Sequence, residues 1–173
     1  FLKKIQKKKI KGVNVKWIKN FQEIKGGPVI FFGNEFFDAI PIKQFYYTNK
    51  VLLEKCYIFN GKELEESQCK PNLSDLVKLK SFKVLKQLKF IEYPKLGLKE
   101  LNKIAKKIKS LSGGVLLIDY GYVEKLNIST IQIIMKNKKI HKNSLLKYIG
   151  EADITSLVNF GLLNEFFLKE KLE

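Results

Sequence analysis

The apolar residues fall into three kinds of run. Two runs are continuous: Val29-Ile30-Phe31-Phe32 after Gly26-Gly27-Pro28, and Val115-Leu116-Leu117-Ile118 after Ser112-Gly113-Gly114. A short apolar run bounded by chain breakers reads as a strand buried on both faces, as in a parallel sheet. Other runs keep helical spacing. Leu98, Leu101, Ile104, Ala105, Ile108 and Leu111 form an apolar stripe with lysines opposite, and Ser112-Gly113-Gly114 ends that helix. Phe160, Leu163, Phe166 and Phe167 mark a final helix with Asn159 at its N-cap. Leu2 and Ile5 belong to a short lysine-rich helix that closes near Gly12. The third kind is extended. Val13, Val15 and Trp17 alternate with polar residues and predict a short strand. Ile42–Tyr47, Val51–Phe59 and Lys62–Glu66, turned at Thr48-Asn49-Lys50 and at Asn60-Gly61, predict an antiparallel meander over residues 42–66. Phe21–Ile24 reads as a brief turn or helix, and residues 67–90 are only partly helical in spacing. Glu124–Lys147 reads as polar and irregular apart from an apolar burst at Ile131–Met135, and Gly150–Thr155 as a turn opening a new element.

A helix, a glycine break and a buried strand ending in an acid make an αβ unit of a parallel sheet. The predicted class is α/β, with an antiparallel insertion. Both continuous strands end in polar residues. Gly33 is followed by Asn34, Glu35 and Asp38, and Ile118 by Asp119, Tyr120 and Gly121. Ligands of open α/β sheets bind at the carboxyl ends of the strands, so the two polar ends on one edge form a candidate site. Asn34 and Asp38 also suit the capping of a following turn, and both roles stay open at this point.

Charge changes this picture less than its size suggests. The net charge is +16, but all 33 basic residues are lysine. Bidentate reading of phosphates and bases relies on arginine. The lysine excess fits compositional drift onto solvated faces better than a nucleic-acid interface, and no nucleic-acid partner is expected. Cys56 and Cys69 have neither the spacing nor the companions of a zinc site or disulfide framework, and His141 is the single histidine, so no metal site is expected. No apolar run approaches the roughly 20 residues of a membrane-spanning helix. The chain begins with Phe1 rather than methionine and stops at Glu173 within a helical pattern, which suggests a piece cut from a longer protein.

Three blocks then carry a resemblance. They are Asn34-Glu35-Phe36-Phe37-Asp38-Ala39-Ile40-Pro41 with Gln44-Phe45, Gly113-Gly114 through Asp119-Tyr120-Gly121, and Gly150-Glu151-Ala152-Asp153-Ile154-Thr155 through Val158-Asn159-Phe160. In this order and approximate spacing they resemble the MidA-like family of S-adenosylmethionine-dependent methyltransferases, whose mitochondrial members are complex I assembly factors. The resemblance covers nearly the whole chain. It implies a partial class I methyltransferase (Rossmann-like) fold, with Val13–Trp17, Pro28–Gly33 and Val115–Asp119 as its third, fourth and fifth strands. The family's glycine-rich cofactor loop and ribose-binding acid would both precede Phe1. Residues 1–173 are then expected to be the central part of a methyltransferase domain, lacking the cofactor loop and the C-terminal strands, that as an isolated piece is insoluble or molten and binds no cofactor.

The resemblance also implies roles. Asn34, Glu35 and Asp38 would be catalytic, with the two carboxylates orienting an arginine guanidinium. Trp17, Ile18 and Gly33 would contact S-adenosyl-L-methionine, and Asp119, Tyr120 and Gly121 would line the substrate side. The expected partner is a protein substrate, possibly a respiratory complex I subunit. The expected place is the bacterial cytoplasm, or the mitochondrial matrix in a eukaryote. A non-catalytic assembly or binding protein, or an inactive fragment of that family, is the alternative.

Overall fold

A computed structural model describes residues 1–141 and 146–172; part of the Glu124–Lys147 stretch and Glu173 lie outside the described residues. Two strands form a parallel pair, β1 (Val29–Asn34) and β6 (Gly113–Ile118), in the register Val29↔Gly113 to Asn34↔Ile118. Between them in sequence lies a four-stranded antiparallel sheet. Its members are β2 (Lys43–Thr48), β3 (Val51–Phe59), β4 (Leu64–Cys69) and β5 (Phe90–Tyr93), in the order β4-β3-β2-β5. The helices are α1 (Leu2–Lys9), α2 (Leu73–Ser81), α3 (Lys95–Leu111) and α4 (Phe160–Lys169). The predicted α/β class is observed.

Local chemistry explains most of these elements. The β2–β3 turn, Asn49-Lys50, has positive φ at both residues, as a two-residue turn matched to strand twist requires. The β3–β4 connection is longer than Asn60-Gly61 suggests. Asn60 Oδ1 accepts from the backbone N–H groups of Lys62 and Glu63, and pairing resumes at Phe59↔Leu64. The helical stripe on α3 is as expected: Leu98, Leu101, Ile104, Ala105 and Ile108 are buried. They meet Phe45, Leu79, Phe82 and Leu85, with Leu162, Leu163 and Phe166 from α4, in one core. The α4 start is capped by Asn159, whose Oδ1 accepts from Leu162 N–H at 2.9 Å.

Two expectations need correction. Val13–Trp17 forms no strand. A strand needs a neighbour to take its backbone hydrogen bonds, and this segment leans on α1 instead, where Trp17 Nε1 donates to Gln6 Oε1 at 2.7 Å. The β1–β6 pair is also not buried on both faces. One face packs on α3, while Ile30 is 82% and Phe32 66% exposed on the other, with Leu116 and Ile118 beside them.

One buried ionic cluster ties the antiparallel sheet to the helices. Asp75 on α2 is fully buried and accepts from Lys43 Nζ at 2.7 Å and Lys95 Nζ at 2.5 Å, while Lys43 also reaches Glu54 at 2.7 Å. Burial pushes the Asp75 carboxyl up, but the two ammonium groups outweigh it and hold the group below the usual carboxylate range. A depressed carboxyl contributes stability above its unfolded pKa of about 3.9 and loses it as pH falls through the folded value. Asp75→Asn is therefore expected to cost about 2 kcal/mol at neutral pH and to flatten the acid limb of stability. Urea midpoints measured between neutral pH and pH 3 check this; an unchanged acid limb would count against it.

Candidate active site

The site lies where β1 and β6 end together. The ladder runs one step past the strands, with Glu35 N–H donating to Ile118 carbonyl oxygen at 2.8 Å. Glu35 itself turns into the left-handed region at φ 46°. A non-glycine residue there carries a strain of about 1 kcal/mol, so the surrounding contacts must fix it. Asp119, the residue closing β6, supplies that fixing. Its Oδ2 accepts from Phe37 N–H at 2.7 Å and Asp38 N–H at 3.3 Å, and its Oδ1 accepts from Tyr120 N–H at 2.9 Å. Phe37 then buries its ring against Gly97 at the start of α3, where an added Cβ would come within 2.6 Å of the ring. The loop that carries Glu35 and Asp38 is thus pinned at both ends.

A second wall comes from a part of the chain whose pattern promised little. The apolar burst becomes β8 (Gln132–Met135), and β9 (Lys138–Ile140) returns through a two-residue turn with positive φ at Lys136 and Asn137. On its other side β8 pairs with β10 (Asp153–Thr155). The short parallel pair β7 (Gly121–Tyr122) and β11 (Val158–Asn159) joins this wall to the end of β6. Ser156 N–H donates to the Asp38 carbonyl at 2.9 Å, and Val158 N–H to the Tyr120 carbonyl at 2.8 Å.

Behind the wall sits a buried polar cluster. Glu92 on β5 accepts from Gln44 Nε2 at 2.8 Å and from the Thr130 backbone N–H at 3.0 Å, and the Thr130 hydroxyl donates to its other oxygen. The same hydroxyl accepts from Leu157 N–H at 3.0 Å. This chain of bonds joins the antiparallel sheet to the segment between β10 and β11. Gln44 belongs to the first resemblance block, yet nothing in the sequence pattern pairs it with Glu92.

Between loop and wall opens a cavity of about 580 Å³, lined by Glu35, Asp38, Tyr120, Gln132, Asp153 and Thr155 among others. Among the described residues no lysine lines it, although lysine is the chief charged residue of the chain. Burial raises the Asp38 carboxyl above its ordinary value, and the neighbouring Asp119 and Glu35 carboxylates add to the rise. The cavity therefore favours a cation, since a positive charge would relieve the repulsion among these groups.

The predicted residues divide as follows. Glu35, Asp38 and Tyr120 meet in the cavity, and Asn34 stands exposed at the end of β1 beside it. Asp119 gives Oδ2 to the loop and Oδ1 to the N–H of Tyr120 beside it. Gly121 is a close-approach position, where a Cβ would fall 2.2 Å from the Val158 carbonyl oxygen. Gly33 faces Leu117 and Phe36. Trp17 and Ile18 are not in the cavity; Ile18 lines a separate hollow with Glu100 and Lys103 of α3. Gln132, Asp153 and Thr155 were missed as lining residues. The apolar burst and the Gly150 turn were the available signals, but short strands give too few alternations to fix which residues face inward.

In the full-length protein Asp119→Asn is expected to lower turnover roughly tenfold to a hundredfold, because the one amide oxygen cannot serve both the loop N–H groups and Tyr120 N–H, and the amide NH2 must face a donor on the other side. Hydrogen exchange at the Phe37 and Asp38 amides should accelerate in parallel. Unaltered exchange with impaired turnover would place Asp119 in the chemistry instead.

Comparison with known proteins agrees with this architecture. The family model described as "Putative S-adenosyl-L-methionine-dependent methyltransferase" matches residues 1–173. The chain is 30% identical over 161 residues to the "Protein arginine methyltransferase NDUFAF7 homolog, mitochondrial" of Caenorhabditis elegans, across 88% of this chain and 36% of that protein. Two crystal structures from Burkholderia thailandensis share the fold at 17% identity, each over 90% of this chain. One, of an uncharacterized protein, has a TM-score of 0.70 and is covered over 42% of its length. The other, bound to S-adenosyl-homocysteine, has a TM-score of 0.68 and is covered over 40%. The chain thus spans about two fifths of the length of these relatives. With the family model matched from Phe1 to Glu173, the chain belongs to the MidA-like family of S-adenosyl-L-methionine-dependent methyltransferases.

Proposed function

We propose that the protein containing this chain transfers a methyl group from S-adenosyl-L-methionine to an arginine side chain of a protein. The supporting observation is the acidic cavity at the carboxyl ends of β1 and β6, which Glu35, Asp38 and Asp153 line with no opposing cation among the described residues. The cofactor supplies an electrophilic methyl on a positively charged sulfur. The cavity suits that charge, since the groups around it are carboxylates, amides, hydroxyls and apolar side chains.

The chain's own residues would do the remaining work. Glu35 and Asp38 pair with the planar guanidinium and fix its orientation in a near-attack geometry. Glu35 takes the proton that the attacking nitrogen must lose. Asp38, whose carboxyl burial raises above its ordinary value, sits beside it. Asn34 offers an amide at the strand end, and Asp119 with Tyr120 holds the neighbouring edge. Trp17 and Ile18 keep their assignment as cofactor neighbours only if the cofactor extends beyond the cavity.

The name of the nematode relative supports arginine as the acceptor. A respiratory complex I subunit is the proposed protein substrate, and the bacterial cytoplasm or the mitochondrial matrix the proposed location. No helix among the described residues is long and apolar enough to cross a membrane. The test is transfer of labelled methyl from the cofactor to protein, with the product identified by mass spectrometry after hydrolysis. Methylarginine is the expected product. Label found on lysine, or on nucleic acid, would overturn the assignment.

A second reading has one observation in its favour. The far end of the antiparallel sheet exposes Tyr57, Ile58 and Phe59 on β3, a surface suited to docking in an assembly role without catalysis. Partner capture that persists when cofactor binding is abolished would favour it.

A further inference from the structure

We propose that the groove between α2, α3 and α4 docks an acidic segment of a partner protein. This surface lies outside the candidate active site and does not depend on the methyl acceptor. It encloses about 720 Å³. Its floor is apolar and tightly built: Phe82, Tyr93, Leu98 and Phe166 are all buried beneath it, and Leu96 at its rim is 55% exposed.

The lysines around it fall into two groups. Lys95, Lys103 and Lys169 are tied to Asp75, Glu100 and Glu165. Lys78 from α2 and Lys99 and Lys106 from α3 have no carboxylate partner among the described residues. Lysines scattered by drift over solvated faces repel one another and gain nothing by converging. Here three unpaired ammonium groups from two helices border one apolar-floored hollow. Lys99, Lys103 and Lys106 sit four and three residues apart, the spacing that places side chains along one helix face.

This combination selects among anionic partners. A nucleic acid could meet these lysines only through its phosphates, since base recognition draws on arginine forks or exposed aromatic faces on which bases stack. The chain has no arginine, and Phe82 and Phe166 are 5% and 7% exposed, so they offer no face. A peptide that carries glutamate or aspartate beside a leucine-like side chain satisfies both the lysines and the exposed Leu96 at the rim.

The test is fluorescence anisotropy with a fluorescein-labelled peptide of repeated Glu-Glu-Leu. The triple variant Lys78→Glu/Lys99→Glu/Lys106→Glu is expected to lose affinity at least about tenfold. A triple variant of equal charge change elsewhere, Lys8→Glu/Lys62→Glu/Lys138→Glu, should bind within about twofold of the parent once added salt screens long-range attraction. Lys78→Arg/Lys99→Arg/Lys106→Arg should retain binding, and thermal melts establish that each variant is folded. Three results would overturn the proposal: equal losses in the two charge-reversed variants, absence of peptide binding by the parent, or tighter binding of a single-stranded oligonucleotide of the same charge through the same lysines.

Discussion

Glu35→Gln is expected to abolish methyl transfer, by about 10²- to 10⁴-fold in turnover, and to leave cofactor binding within about twofold. The substitution keeps the size of the side chain and the backbone bond from Glu35 N–H to the Ile118 carbonyl, so the loop keeps its shape. It removes a charge and a proton acceptor at one point of the cavity. If Glu35 only helped to attract a cation, the loss would appear in KM and fade as substrate is raised. If it orients the guanidinium and accepts its proton, the loss stays in kcat at saturation. Single-turnover measurement with labelled cofactor separates the two. Full turnover by the variant would remove Glu35 from the mechanism and leave Asp38 as the remaining candidate. Because Asp38 is raised partly by the Glu35 carboxylate, neutralising Glu35 should also let Asp38 ionise at lower pH. The pH profile of any residual activity would then shift downward.

Gly113→Ala is expected to be the most damaging small substitution in the chain. Gly113 holds φ at 129°, and a Cβ there would lie 1.8 Å from the Val29 carbonyl oxygen. No side-chain rotation relieves this, because the obstacle is backbone at the first rung of the β1–β6 pair. The strand must either separate from β1 or change its dihedral, and both undo the register that brings Asn34 opposite Ile118. A cost of about 4 kcal/mol or more follows, enough to unfold a protein of ordinary stability. Gly114→Ala is the matched control, since nothing lies within 4 Å of a Cβ at that position. Soluble yield and urea midpoints of the two variants should differ sharply; similar midpoints would show that the pair tolerates a shifted register.

The parts of the fold that were legible in the sequence are those with long or continuous patterns. β1, β6 and α3 each carry enough apolar residues in one period to exclude the alternatives. Asn159 was legible as a cap because a side-chain acceptor directly precedes the apolar helix. The polar ends of β1 and β6 pointed to Glu35, Asp38 and Asp119 from strand direction alone. What was not legible depends on distant partners. Val13–Trp17 has the alternation of a strand but no neighbour to pair with. β8 and β10 are too short to declare which face is inward, and their pairing across the chain is set by Leu157 and Ser156 bonds to Thr130 and Asp38. Burial of β1 on both faces was read from its continuous apolar run, and such a run does not say whether a second layer is present. Asp119 shows the limit for function: its type and place suggested substrate contact, while its geometry assigns Oδ2 to holding a loop and Oδ1 to the neighbouring Tyr120 N–H.

That Asp119 anchor also bears on the order of events when the chain folds. Phe37 and Asp119 are 82 residues apart in sequence, and the whole antiparallel sheet lies between them. Hairpins such as β2–β3 and β8–β9 close small loops and can form within microseconds, whereas joining β1 to β6 must first overcome the entropy of a far larger loop. The acidic cavity therefore comes into being only when the last long-range contacts are made. A chain in which β1 and β6 had not yet joined would hold its meander and helices yet present no cavity, so the cavity depends on that one long-range pairing.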